Sequence, residues 1–409
     1  MSSAQRFVIV GGGLAAAKIA EALRSMDFDG YVTLLSAEEH LPYELPPLSK
    51  EHLAGKKSLT EFTVAPAQWY RDHHIEVRLG TTVVGVDAAA KTITLPDNST
   101  LSYDKLALAT GSTPRTLPIP GAEAPNVYTL RTIEDSDTLL ELFDHLSRLV
   151  IIGAGWIGLE VAAAARAAGV EVTIVEYAEL PLQGVLGPEM GEVFAELHRA
   201  NGVDFRFGTQ VEAITFEEGA VTVANGVRLA DGSTVEADAV LVAVGAHPNV
   251  ELAIGAGLAV DNGVLVDERL VTSDPDIVAA GDIAAQWHPL LRKRIRVEHW
   301  ANALNQPAVA AATMLGKDAV YDRLPYFFTD QYDLGMEYTG YATASDTARV
   351  VIRGDSAARE FVAFWLDANN RVLAGMNVNV WDVTDRIKEL IHAAEPVDPE
   401  WLADTATSL

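Results

Sequence analysis

The stretch "RLVIIGAGWIGLEVAAAARAAGVEVTIVEYAE", Arg148 to Glu179, decides how the rest of the chain is read. It opens on an apolar run, Leu149–Ile152, of the kind a strand buried on both faces requires. Gly153, Gly155 and Gly158 follow at G-x-G-x-x-G spacing. The first glycine permits a tight turn, the second lets backbone approach a diphosphate, and the third lets helix and strand pack closely. The helix that begins there offers unpaired N–H groups to phosphate oxygens. A second apolar run ends at Glu176, 23 residues past Gly153, where a carboxylate can accept both hydroxyls of a ribose. Tyr177, Ala178 and Glu179 supply no arginine for a 2′-phosphate, so the pattern selects NADH over NADPH.

The same grammar occurs in "RFVIVGGGLAAAKIAEALRSMDFDGYVTLLSAEE", Arg6 to Glu39. Gly11, Gly13 and Ala16 form the variant fingerprint with alanine as packing residue, and the acid is Glu38, with Glu39 as the alternative register. The pattern predicts a strand over 7–10, a glycine turn over 11–13, a helix over 14–26 and a strand over 31–35. Ala15, Ile19, Ala22 and Leu23 give that helix its buried face. Each fingerprint is followed by a meander, with turns expected at Asp97–Asn98 in the first and at Glu218–Gly219 and Asp231–Gly232 in the second. The meanders end in "ATG" and "AVG", so the chain reads as a module repeated at low identity. After Tyr326, short aromatic-rich strands closed by a helix near 382–392 predict an α+β domain. The expected boundaries are 1–115 for the first nucleotide domain, resumed over 249–325, then 116–248 for the second and 326–409 for the last.

Composition narrows the class. A chain of 409 residues with 49% hydrophobic and 21% charged side chains is globular and multidomain. A formal charge of −27 argues against nucleic acid and anionic membranes as partners. No apolar stretch reaches the roughly 20 residues of a membrane helix. The apolar run after Arg6 could mimic a secretory signal, but three glycines break it and it flows into an amphipathic helix, so a cytoplasmic location is expected. With no cysteine, disulfide frameworks, thiolate metal sites and a catalytic dithiol are all excluded, and no metal site is expected.

Two further stretches bear on the first fingerprint. "LATGSTPR" (Leu108–Arg115) runs a strand into a glycine turn at Ala109, Thr110 and Gly111. "TSDPDIVAAGDIA" (Thr272–Ala284) puts Asp282 at a strand end ahead of another expected helix N-terminus. Alone, each is open to reading as an ordinary strand exit. Together with both fingerprints they resemble the two-dinucleotide-binding flavoproteins, with a glutathione-reductase-like arrangement of two Rossmann-like domains. That resemblance implies FAD in the first module, NADH in the second, and an Asp282 carboxylate on the flavin's ribityl chain.

"HLPYELPPLSK" (His40–Lys50) narrows it further. This stretch, with "IIGAGWIGLE", "GAHPN", "AAGDIA", "RVEHWANALNQ" and "YFFTDQYD", resembles the NADH-dependent, FAD-containing ferredoxin reductases of bacterial oxygenase systems. The resemblance covers essentially the whole chain. It implies that Lys50 lies near the flavin ring with Pro47 supporting it, that Glu160 approaches the nicotinamide, and that Arg131, Glu298, Trp300 and Phe328 belong to the flavin's surroundings. Lys50 and Glu160 are then the catalytic pair. Two positions depart from the family pattern: Leu45 stands where arginine is usual before the two prolines, and Phe328 where tryptophan is usual.

The implied reaction is hydride transfer from NADH to FAD, then two one-electron transfers to a 2Fe–2S ferredoxin that feeds a haem-thiolate monooxygenase or ring-hydroxylating dioxygenase. "LLRKRIRVEHW" sets Arg292, Lys293, Arg294 and Arg296 in a basic loop on an acidic chain, which fits a landing site for an acidic iron–sulfur protein. A monomer or weak homodimer is expected. Alternatives on the same scaffold are a rubredoxin reductase or NADH oxidase. A non-enzymatic alternative resembles apoptosis-inducing factor, whose redox state governs binding.

Overall fold

A computed structural model describes residues 4–216 and 223–409; the turn expected at Glu218–Gly219 lies outside them. The chain divides into two compact units. One comprises Met1–Leu45, Ser58–Thr113 and Ala246–Pro325, and the other Pro46–Lys57, Pro114–Gly245 and Tyr326–Leu409.

In the first unit, five parallel strands stand in the order Ile277–Ala279, Lys105–Leu108, Arg6–Val10, Tyr31–Leu35, Ile75–Arg78. The central strand is apolar on both faces, and Phe7, Val8, Ile9 and Val10 are all buried. Helix Leu14–Ser25 buries Ala15, Ile19, Ala22 and Leu23, the face its periodicity predicts. The expected Asp97–Asn98 turn joins strands Thr92–Thr94 and Thr100–Ser102, with Asn98 in the left-handed region at φ 62°.

The second unit repeats the design. Its parallel order is Val203–Arg206, Glu171–Val175, Arg148–Ile152, Ala239–Val242, Val127–Tyr128. It also carries a five-stranded antiparallel sheet, ordered Tyr326–Gln331, Leu334–Gly340, Val372–Val378, Glu360–Leu366, Arg349–Asp355. Helix Thr384–Ala393 closes that sheet, its Ile387 seated over Gly375, where a Cβ would come within 2.6 Å of Ile387.

The short segment Pro46–Lys57, which the sequence pattern runs on within the first nucleotide domain, packs in this second unit. Leu53 is buried in its core, and Ser136 donates to the Leu48 carbonyl at 2.7 Å. His52 Nε2 meets Asp137 Oδ1 at 2.7 Å.

Two expectations are corrected. Asp282 does not precede an α-helix; it sits in a single 3-10 turn, Gly281–Ile283, that runs directly into strand Ala284–His288. The helix begins only at Trp300 and holds the turn from the side, through Gln306 Oε1 accepting the Gly281 N–H at 2.8 Å. The basic segment is also not a loop. Lys293–Arg296 is a strand paired antiparallel with Ala284–His288.

Candidate functional site

Each unit contains a built phosphate cradle. In the first, Gly11 ends the central strand at φ 142°, and a Cβ there would lie 2.1 Å from the Ala109 carbonyl oxygen. In the second, Gly153 has φ 105° and the corresponding distance is 2.5 Å, to the Ala243 carbonyl oxygen. Only glycine fits either place. Gly158 is required for another reason, since its Cβ would stand 2.2 Å from the Gly153 carbonyl oxygen. Ala16, the counterpart in the first module, is fully buried.

The helices that follow, Leu14–Ser25 and Trp156–Ala167, start at Gly13 and Gly155. Neither N-terminus has a side-chain cap or an acidic residue in its first turn, and the space beside both glycines is open. Free N–H groups, the positive end of the helix dipole and vacant volume are what a diphosphate requires. Both dinucleotides therefore fit the residues present.

In the second cradle, Glu176 accepts from Ala154 N–H at 2.7 Å through one carboxylate oxygen and from Ala178 N–H at 2.9 Å through the other. This fixes the carboxylate beside the glycine turn. In the first cradle, the strand-end position is Ser36, whose side chain lies over Gly12. Glu38 stands two residues later, accepting the Tyr43 hydroxyl at 2.6 Å, while the Glu39 carboxylate covers Gly80.

The rest of the first unit's site gathers around the same sheet edge. Thr110 donates to the Asn249 carbonyl at 2.9 Å, and Asn249 Nδ2 returns a bond to the Thr110 carbonyl at 2.8 Å. Asn249 N–H also donates to the Gly111 carbonyl at 3.0 Å. Asn249 thus clamps the turn carrying Ala109, Thr110 and Gly111, a role its place in "GAHPN" does not reveal. The Asp282 turn abuts Ala15, because a Cβ on Gly281 would come 3.2 Å from the Ala15 methyl. Glu298 is ion-paired with Arg296 and accepts from Ser112 Oγ at 3.3 Å. Trp300 opens helix Trp300–Met314. His299, its N-cap, is depressed to about 4 by burial, against the opposing pull of Glu298.

The second unit assembles the remaining predicted residues. Pro46–Ser49 forms one 3-10 turn, and Pro47 accepts the N–H groups of Lys50 and His52 at 3.1 and 2.9 Å. That turn delivers Lys50 Nζ to Glu160 Oε1 at 2.8 Å, with side chains only 12% and 5% exposed. A buried carboxylate is costly without partners, and Glu160 has three. Besides Lys50, Ser49 donates to Oε2 at 2.5 Å and Thr329 to Oε1 at 2.6 Å. Lys50 Nζ also lies 5.6 Å from the Phe328 ring centroid, within cation–π range. Phe328 therefore retains the aromatic face that tryptophan would provide. Arg131 N–H donates to Asp135 Oδ2 at 2.8 Å, just ahead of the capping box of helix Ile133–Phe143.

The four cations are divided between the tip and the two faces of a hairpin. Alternation along strand Lys293–Arg296 sends Lys293 to one face and Arg294 and Arg296 to the other. Arg294 Nη1 donates to the Val266 and Ala285 carbonyls at 2.8 and 2.5 Å. The Arg296 side chain is 8% exposed and tied to Glu298 and the Asp282 carbonyl. Arg292, at the hairpin tip, and Arg294 are exposed, and Lys293 is half-buried. Among the described residues no helix is long and apolar enough to cross a membrane, and no cluster of potential metal ligands occurs.

The chain matches the model of the pyridine nucleotide-disulphide oxidoreductases over residues 5–307 and that of the reductase C-terminal domain over 326–409. It is 40% identical, over 100% of its own length and 99% of the relative's, to the ferredoxin–NAD(+) reductase component of an anthranilate 1,2-dioxygenase system from Burkholderia cepacia. It is 37% identical to putidaredoxin reductase from Pseudomonas putida, covering 100% of this chain and 97% of that one. The structure superposes with a TM-score of 0.94 on the reductase in the covalent putidaredoxin reductase–putidaredoxin complex, at 36% identity, covering 99% of this chain and 97% of that one.

Proposed function

From the premise that the chain belongs to the pyridine nucleotide-disulphide oxidoreductase family, we propose that it is the NADH:ferredoxin reductase of a bacterial oxygenase system. It is an oxidoreductase whose cofactors are FAD and NAD(H). The observation that carries the reading is the union of two dinucleotide cradles with a sequence lacking cysteine. The dithiol relay for which the family is named has no atoms here, so electrons pass to an external carrier. FAD, once bound, supplies the chemistry of taking a hydride and giving electrons up singly.

The chain's own residues supply position and charge. Gly11, Gly13, Ala16 and Glu38 hold the FAD diphosphate and ribose, and Ala109, Thr110, Gly111, Asp282, Glu298 and Trp300 hold the flavin part. Pro47, Lys50, Arg131 and Phe328 complete the flavin's surroundings. Gly153, Gly155, Gly158 and Glu176 hold NADH. Lys50 and Glu160 serve as the catalytic pair, with Lys50 at the flavin ring and Glu160 at the nicotinamide. What supports this is the buried ion pair between them.

The acceptor is a 2Fe–2S ferredoxin that supplies a haem-thiolate monooxygenase or a ring-hydroxylating dioxygenase. It docks on the hairpin bearing Arg292, Lys293, Arg294 and Arg296. Arg292 and Lys293 lead the contact, Arg294 and Arg296 hold the hairpin's shape, and the exposed Trp287 and Leu290 add apolar surface. The enzyme works in the cytoplasm as a monomer or weak homodimer, with 1–115 and 249–325, 116–248, and 326–409 as its domains.

The test is direct. Under anaerobic conditions NADH bleaches the yellow protein, and rapid cytochrome c reduction begins only when a ferredoxin from a purified panel is added. Protein that NADH cannot bleach, or cytochrome c reduction indifferent to every ferredoxin, rejects the assignment. Arg292→Glu with Lys293→Glu raises the apparent KM for ferredoxin about tenfold while sparing ferricyanide reduction. Equal losses with both acceptors reject the docking site.

A further inference from the structure

Glu160 stands at the end of a buried polar file that the reaction above leaves unused. Thr329 Oγ1 donates to Glu160 Oε1 at 2.6 Å, and Gln331 Nε2 donates to Thr329 Oγ1 at 3.1 Å. His198 Nε2 meets Gln331 Oε1 at 2.8 Å, and the Tyr332 hydroxyl approaches His198 Nδ1 at 3.4 Å. Thr329 and Gln331 are 1% exposed and His198 is fully buried.

The chemistry of the groups allows one polarity. A carboxylate paired with Lys50 only accepts, so the Thr329 hydroxyl must donate to it. The Thr329 oxygen then accepts the Gln331 amide N–H, which leaves the Gln331 oxygen facing His198. His198 must therefore carry its proton on Nε2 and present Nδ1 as an acceptor to Tyr332. Burial supports this neutral form by holding the imidazole at about 4. Every donor in the file points toward Glu160, and aligned bonds in a dry interior polarise one another.

Packing gives no reason for three buried polar side chains here. Phe327, Thr329 and Gln331 lie on one face of strand Tyr326–Gln331, and Phe327 joins the apolar core on that face. Apolar side chains at the other two positions would avoid the desolvation cost.

We propose that Gln331 and His198 are positioning residues which, through Thr329, hold the Glu160 carboxylate fixed against Lys50 and Ser49. The proposal rests on the reading of Glu160 as the nicotinamide's neighbour.

Anaerobic stopped-flow measurement of flavin reduction by NADH, combined with calorimetric NAD⁺ affinity and melting temperature, tests it on the holoenzyme. Thr329→Val slows flavin reduction about tenfold with NAD⁺ affinity changed less than about twofold, and Thr329→Ser restores the rate. His198→Phe and Gln331→Leu each slow it about threefold and add nothing in a Thr329→Val background. Histidine-selective ¹⁵N NMR of the resting protein, assigned by loss of one signal in His198→Gln, shows a neutral Nε2–H tautomer. Additive losses, losses that follow melting temperature, or an Nδ1–H tautomer overturn the proposal. Unimpaired flavin reduction in Glu160→Gln would instead defeat the reading of Glu160, while the tautomer result stood.

Discussion

The two nucleotide modules are built from the same backbone bonds and differ in a few side chains. Gly11 N–H donates to Leu35 O at 2.9 Å, and Gly153 N–H to Val175 O at 2.8 Å. Ala109 N–H reaches Val10 O, as Ala243 N–H reaches Ile152 O, both at 2.8 Å. Asp104 accepts from Arg6 N–H as Asp238 accepts from Arg148 N–H. At the helix C-termini, Arg24 and Arg166 both reach past the last turn to carbonyls of the neighbouring segments. Even Glu39 over Gly80 has its match in Glu179 over Gly208.

Against that identity the differences are informative. Ser36 occupies the strand-end place of Glu176, and Glu38, two residues on, accepts the Tyr43 hydroxyl. The backbone of the two glycine turns is thus the same, and the place of the acid beside it is a separable choice made at the strand end.

The strongest way to break this equivalence is at the first glycine. Gly11→Ala and Gly153→Ala both place a methyl inside a carbonyl's van der Waals radius at a left-handed φ, at a cost of about 3 kcal/mol or more. Gly11→Ala is expected to yield protein with little bound flavin, read from its visible absorbance. Gly153→Ala should keep the yellow colour and lose NADH binding. If both lose flavin alike, the modules are not independent cradles.

The third position separates the two next. Gly158→Ala drives a Cβ against Gly153 O and should cost about 2–3 kcal/mol, seen as a lowered melting temperature and weakened NADH binding. Ala16→Gly, the reverse exchange, removes one buried methyl and loosens a helix, for about 1 kcal/mol. Equal penalties would mean that the strand–helix distances are the same in both modules.

The acids give a selective effect. Glu176→Ala should raise the KM for NADH about tenfold, narrow the gap to NADPH and leave flavin content unchanged. Glu38→Ala should do the converse, weakening flavin retention without touching pyridine-nucleotide preference.

Much of this was legible in sequence because it is local. The glycine spacing, the apolar strands and the 3.6-residue face of helix Leu14–Ser25 lie within one short window and appear as read. The interior of the site was not legible. Thr329 reaches Glu160 across 169 residues of sequence, and His198 reaches Gln331 across 133. Asn249 similarly returns to Thr110. Nothing in the local periodicity marks such partners, although a Thr-x-Gln alternation on a buried strand face was a usable hint. The basic run forms a strand rather than the expected loop, and the backbone carbonyls that accept from Arg294 and Arg296 are contacts that charge alone does not mark.

The smallest contrast concerns pH. The helix before each parallel sheet's edge strand carries a buried polar ring: Tyr70 on Ala67–Asp72, ahead of Ile75–Arg78, in the first, and His198 on Pro188–Ala200, ahead of Val203–Arg206, in the second. Burial raises the Tyr70 hydroxyl's pKa, so it does not titrate at or below neutrality. Burial lowers His198 to about 4 from an ordinary 6.5. Between those values the unfolded chain binds a proton that the folded one refuses, so stability is complete above about 6.5 and falls as pH drops toward 4. From pH 7 to pH 6 the loss from this one group is somewhat under about 1 kcal/mol. His198→Gln should therefore flatten the urea midpoint over that interval, measured with excess FAD, whereas Tyr70→Phe should leave its slope unchanged. An unaltered slope in His198→Gln would mean that His198 takes up its proton as readily in the folded protein as in the unfolded chain, and the two buried rings would then differ in whether burial controls their protonation.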